Sequence, residues 1–145
     1  MKNKYLSLII LVIVLAGLGI VYFTQFHETF RFVDQGGNLT YNELISYCEE
    51  YEFPGNLKCV NHYLKKHYEY VVKDDDVLSF DVLMSEGGDC ANWSNLWGEV
   101  GESFGYSVQN PIIQTSEDSF HTFEIISSYD GYCTADLINL NCFIH

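Results

Sequence analysis

Hydrophobic positions fall into three textures along the chain. From Tyr5 to Phe23 nineteen residues run without a charge, and at about 1.5 Å per residue a helix of that length approaches the roughly 30 Å hydrocarbon core of a bilayer. From Thr40 to Gly105 apolar residues recur at helical spacings, and beyond Tyr106 they cluster and alternate as strands do. The pattern predicts an N-terminal anchor over 1–23, a juxtamembrane stalk over 24–39 ending in Gly36-Gly37-Asn38, and one domain over 40–145. A cleaved signal peptide has a shorter apolar region, about 7–15 residues, so the length favours a retained single transmembrane helix.

Within the domain, Thr40 followed three residues later by Glu43 has the form of a capping box. It starts a helix through about Tyr51, which Pro54-Gly55 terminates. A second helix is predicted from Asn56 to about Val72, because Leu57, Val60, Tyr63, Leu64, Tyr68 and Val71 form one stripe. A third follows Cys90, with Trp93, Leu96, Trp97, Val100 and Phe104 on its inner face and Gly105 as its stop. Strands are predicted at Tyr106–Gln114, interrupted by Pro111, then Phe120–Ile126, then Tyr132–Leu137 after the Asp130-Gly131 turn. Helices first and strands after read as α+β, with the N-terminal helices packed on a small antiparallel sheet.

Composition narrows the class. With 48% hydrophobic and 16% aromatic residues the domain can bury a real core. All 20 acidic residues lie after residue 27 and the net charge is -13, which makes nucleic acid a poor partner. Lys2 and Lys4 precede the apolar run, so the positive-inside tendency leaves the N-terminus cytoplasmic and the domain extracytoplasmic. Five cysteines, 48, 59, 90, 133 and 142, are an odd count in that disulfide-permissive compartment. Connectivity is open from sequence, but local Cys48/Cys59 and Cys133/Cys142 bridges would close short loops and isolate Cys90. No C-x-x-C occurs, which removes the usual signature of thioredoxin-like and zinc-ribbon sites.

Cys90 opens the third helix, where backbone amides and the macrodipole favour a thiolate. Gly87-Gly88 before it allows a tight turn. His121 lies on a predicted strand, with His121, Phe123 and Ile125 alternating onto one face that is expected to look inward. A four-residue loop, Ser128–Gly131, would set Ile138 opposite His121 and Asp136 diagonal to it, at roughly 7–8 Å between backbones. A carboxylate is thereby within reach to orient the imidazole.

Gly88-Asp89-Cys90 opening a helix, then Phe120-His121-Thr122-Phe123-Glu124-Ile125, then Tyr132-Cys133-Thr134-Ala135-Asp136, resembles the core of the transglutaminase-like (papain-like thiol) superfamily over about residues 56–142. The resemblance implies Cys90 as nucleophile, His121 as base and Asp136 as the orienting carboxylate. It also implies attack on a peptide bond or glutamine-type carboxamide through a thioacyl-enzyme, resolved by water or an amine, without a cofactor. The amide of Cys90 would serve the oxyanion, with Tyr68 or Tyr70 as a second donor. Two departures stand out: Phe123 occupies the position where the family favours tryptophan, and the chain stops nine residues beyond Asp136, which implies a sheet without its usual last strands. Alternative readings are a papain-like cell-wall endopeptidase, a catalytically silent binding module of the same fold, and a purely structural domain.

Plainer roles compete at each position. Cys90 as a buried hydrophobe, His121 as a core histidine, Asp136 as a turn cap and Asp89 as a local backbone acceptor are the counter-readings. Trp93 and Trp97 read as core. Cys59, His62 and His67 are not all on one helical face, and Asp74-Asp75-Asp76 lacks a loop of alternating oxygen ligands, so neither is read as a metal site. Asn38-Leu39-Thr40 and Asn92-Trp93-Ser94 fit the glycosylation pattern, the second fortuitously, since it falls inside the helix after Cys90.

Overall fold

A computed structural model describes residues 39–73, 78–117 and 119–145, all within one compact unit. The anchor and almost all of the stalk, with Asn38 and Asp74–Asp76, lie outside the described residues, among which no helix is long and apolar enough to cross a membrane. Among the described residues four helices come first, α1 (Tyr41–Cys48), α2 (Gly55–His67), α3 (Phe80–Glu86) and α4 (Cys90–Ser103). Six strands follow, β1 (Ser107–Gln109), β2 (Ile112–Ser116), β3 (Ser119–Thr122), β4 (Glu124–Ser128), β5 (Gly131–Asp136) and β6 (Asn139–Ile144). The class is α+β.

Thr40 caps α1 as its spacing predicts, its side chain accepting from Glu43 N while Glu43 Oε2 accepts from Thr40 N at 2.8 Å. The helix ends at Cys48, short of Tyr51. α2 also ends early, at His67, and this corrects the expected helix to Val72. Residues 69–71 run beside Gly88 instead: Gly88 N donates to Glu69 O and Val71 N to Gly88 O, both at 3.1 Å. Tertiary pairing outweighs a helical stripe whose last two members, Tyr68 and Val71, are only half-buried. α3 has no counterpart in the sequence reading. Its seven residues are too few for a hydrophobic period to stand out.

The core gathers Leu57, Val60, Tyr63 and Leu64 from α2 with Trp93, Leu96, Trp97 and Val100 from α4, the stripes read from sequence. Each fully buried aliphatic contributes roughly 1.5–3 kcal/mol relative to exposure. All strand pairings are antiparallel, in a four-stranded sheet of order β1-β4-β5-β6 and a separate β2-β3 ribbon. Pro111, which has no N–H to give a ladder, separates β1 from β2. The expected strand Phe120–Ile126 is cut at Phe123, and its halves join different sheets. β4 pairs with β5 in the expected register, Ser127 opposite Tyr132 and Glu124 opposite Ala135, and one further pair, Ser128 with Gly131, shortens the loop to Tyr129-Asp130.

The inward face of β4 is a correction. Glu124 and Ile126 are buried there, opposite Ala135 and Cys133, whereas Phe123 and Ile125 are half-buried. Helix α4 packs on the side of the sheet that carries Ile126, and the packing partner, not alternation alone, selects the face. At the closest approach a Cβ on Gly101 would stand 2.6 Å from Val108 Cγ2 and 3.1 Å from Ile126 Cγ2. Gly101→Ala is expected to lower stability by about 1–2 kcal/mol, overpacking outweighing the gain in helix propensity, as a drop in urea midpoint will show.

Candidate active site

The loop ahead of α4 is built on two glycines with no room for side chains. Gly87 has φ +73°, and a Cβ there would meet Glu69 O at 2.6 Å. At Gly88 it would meet Leu83 Cδ1 at 2.5 Å. The indole of Trp93 donates to Gly88 O at 3.0 Å, fastening the loop to the first turn of its own helix. Asp89 is the N-cap: its Oδ1 accepts from Ala91 N at 3.0 Å and Asn92 N at 3.2 Å, while Asn92 Oδ1 accepts from Asp89 N. This is the local backbone-acceptor role. Asn92 is buried within the capping box, in keeping with a fortuitous glycosylation pattern.

Cys90 is therefore the first residue of α4. The capping bonds go to Ala91 and Asn92, and the Cys90 N–H, one of the amides a helix start leaves over, has no hydrogen-bond partner among the described residues. Cys90 is half-buried and carries a free thiol, because Cys48 bonds Cys59 and Cys133 bonds Cys142. The first bridge ties α1 to α2; the second lies between directly opposed residues of β5 and β6. The first bridge also removes Cys59 as a thiolate ligand, and among the described residues no group of three or more His, Cys, Asp or Glu is placed to hold a metal ion.

His121 stands on β3 opposite Ile113, half-buried. It shares with Cys90 a cavity of about 340 Å³, bordered by Ala91, Asn95, Asn110 and Thr122 and walled by the apolar side chains of Ile112 and Phe120. Its Nε2 is 2.9 Å from Asp136 Oδ1. Asp136 ends β5, and the turn after it is pinned by Trp97, whose indole N–H donates to Leu137 O at 2.6 Å. Trp97 is thus core, and it also fixes the carboxylate's position from 39 residues upstream in sequence. With Nε2 committed to Asp136, Nδ1 is the ring nitrogen left to face a reaction partner.

Tyr70 and Tyr68 border the same region. The extended pairing with Gly88 puts Tyr70 beside the loop, and burial, then its proximity to Cys90 and Asp89, pushes its phenol up. Tyr68 packs its ring on Trp93 at 5.2 Å, and burial, Tyr70 and Asp136 raise its phenol.

A polar network behind the cavity was not read from sequence. Glu124 is 2% exposed; its Oε1 accepts from Ser94 Oγ at 3.0 Å and from Asn110 Nδ2. Thr122 Oγ1 donates to Asn110 Oδ1 at 2.6 Å. The signal was an acidic residue amid Phe123, Ile125 and Ile126, obscured once that strand's other face was taken as inner. Burial holds the Glu124 carboxyl above the usual carboxylate range, the bonds from Ser94 and Asn110 oppose the rise, and Glu102 adds to it. A raised folded-state value means that stability is fully present below about pH 4.5 and is lost as pH rises through the raised value. Glu124→Gln is expected to remove this loss, so that the variant's urea midpoint exceeds the wild type's at pH 8 while the two converge near pH 4.

Compared with known proteins, the chain matches no family model, no curated protein and no solved structure.

Proposed function

We propose that this protein is a thiol enzyme, a cysteine hydrolase or acyl-transferase that acts on a peptide or glutamine-type carboxamide through a thioacyl-enzyme on Cys90. The observation that carries the reading is a free thiol at the first residue of a buried helix, in one cavity with a histidine whose far nitrogen is held by a carboxylate at 2.9 Å. The order Cys90, His121, Asp136 and the Gly-Asp-Cys helix start support kinship with the transglutaminase-like superfamily. Two disulfides suit an oxidising compartment, and the apolar run at 5–23 suits a single-pass anchor with the domain extracytoplasmic.

In this mechanism His121 Nδ1 takes the Cys90 proton and the sulfur attacks the carbonyl carbon, forming a C–S bond. The oxyanion accepts from the open Cys90 N–H, with the Tyr70 hydroxyl as second donor. His121 then gives the proton to the departing amine as the C–N bond breaks. Water or an amine resolves the thioester, and Asp136 keeps the imidazole oriented throughout. Ile112 and Phe120 supply an apolar wall for the chain on either side of the reacting amide.

The test is alkylation of the full-length, unreduced protein with iodoacetamide at pH 7, read by peptide mass spectrometry, and, on a separate sample that has not been alkylated, incubation with a panel of peptide amides. Rapid modification confined to Cys90, and an acyl adduct on Cys90 that is absent from Cys90→Ala, are expected. An inert Cys90 rejects the reading. Modification without any acyl adduct or amide turnover points instead to a binding module.

A further inference from the structure

A second cleft, of about 410 Å³, adjoins the first and shares Asn95 and Asn110 with it. Asn95, Gly98, Glu99 and Glu102 line it from α4, at the i, i+3, i+4 and i+7 spacing of one helix face. Across from them lies Glu124. Three carboxyl groups therefore surround one space, and Glu124, 98% buried by its 2% exposure, has an Oε2 with no hydrogen bond among the described residues. Buried polar oxygens are ordinarily paired, and a carboxylate flanked by two others calls for a cation. Among the described residues no lysine or arginine forms a salt bridge with Glu99, Glu102 or Glu124, and from residue 74 to 145 the sequence contains neither.

We propose that this cleft is a specificity subsite for a cationic side chain, guanidinium or ammonium, of the substrate bound at Cys90. Its placement in the substrate rests on the thiol-enzyme reading, because the shared wall of Asn95 and Asn110 sets the cationic group beside the reacting amide, on the same peptide. Gly98 lines the cleft beside Glu124, and a Cβ there would make only ordinary contacts, 3.8 Å from Glu124 Oε1 and 3.9 Å from Val108 Cγ1. Anything longer at that position would fill the space. No group of three or more His, Cys, Asp or Glu among the described residues is arranged for a metal ion, which favours an organic cation carried on an alkyl chain. The acidic surface, with a net charge of -13, would draw such substrates in.

Equilibrium binding of N-acetyl-arginine amide and its neutral isostere N-acetyl-citrulline amide to the full-length protein tests this. The arginine compound is expected to bind about tenfold tighter, the size of one charge-assisted hydrogen bond with an exposed ion pair, and its advantage should shrink with added salt. Glu99→Gln with Glu102→Gln, at exposed helix positions, should reduce the advantage to about twofold or less. Gly98→Leu should abolish it by filling the cleft, with circular dichroism reporting the fold. Equal binding of the two compounds to the wild type, or a preference that survives in both variants, overturns the subsite. So does displacement of the arginine compound by calcium at equimolar concentration. Alkylation of Cys90 in the same wild-type protein separates the two proposals: an arginine preference with an inert thiol removes the enzyme reading alone, and a reactive thiol with no preference removes the subsite alone.

Discussion

His121→Ala is expected to slow thioacyl formation on Cys90 by about 10²–10⁴-fold, the usual worth of a positioned acid-base group. The effect should fall on kcat more than on KM, because in the proposed mechanism the imidazole moves protons, and the apolar wall belongs to Ile112 and Phe120. Half-buried on a two-stranded ribbon, His121 is not a core element, so the unfolding midpoint should hardly change. Asp136→Asn should give a smaller loss than His121→Ala, since Asn still occupies the 2.9 Å contact with Nε2 but carries no charge to stabilise the imidazolium. Rates of acyl-adduct formation against pH for the three proteins will separate these effects. Equal rates for His121→Ala and wild type would remove His121 from the mechanism.

Gly87→Ala is expected to cost about 3 kcal/mol. Two causes combine: a left-handed backbone at φ +73°, worth roughly 1–3 kcal/mol for a residue with a side chain, and a Cβ 2.6 Å from Glu69 O, itself the acceptor for Gly88 N. Relief of that contact means separating residues 69–71 from the loop, which also shifts Asp89 and Cys90. Alkylation of Cys90 should therefore change together with the urea midpoint. Gly105→Ala is the control. Its φ is +75° but a Cβ there meets nothing within 4 Å, so it should cost only about 1 kcal/mol and leave Cys90 reactivity as it was.

Legibility varied with the range of the interaction that decides each feature. The Thr40 cap, the α4 stripe from Trp93 to Val100 and the stop at Gly105 follow from residues at most a few positions apart. The two disulfides agree with the simplest local pairing. The split at Phe123 was illegible, because β3 leaves the main sheet to pair with β2, and nothing within the run Phe120–Ile126 records a partner. That same split hid Glu124. Taking His121, Phe123 and Ile125 as the inward set placed the acid outside, whereas the approach of α4 at Gly101 turns the Ile126 side inward.

For Cys90, sequence by itself determined its place at a helix start, the glycine loop before it and its isolation from the other four cysteines. These depend on backbone propensity, capping and counting, which act over short stretches of chain. Tertiary structure alone decided that His121 and Cys90 line one cavity, that Trp97 secures the turn beyond Asp136, and that Glu99, Glu102 and Glu124 face a common cleft. Such meetings depend on which sheet face a helix covers. That choice is made by burial summed over the whole core, not by any local run of residues.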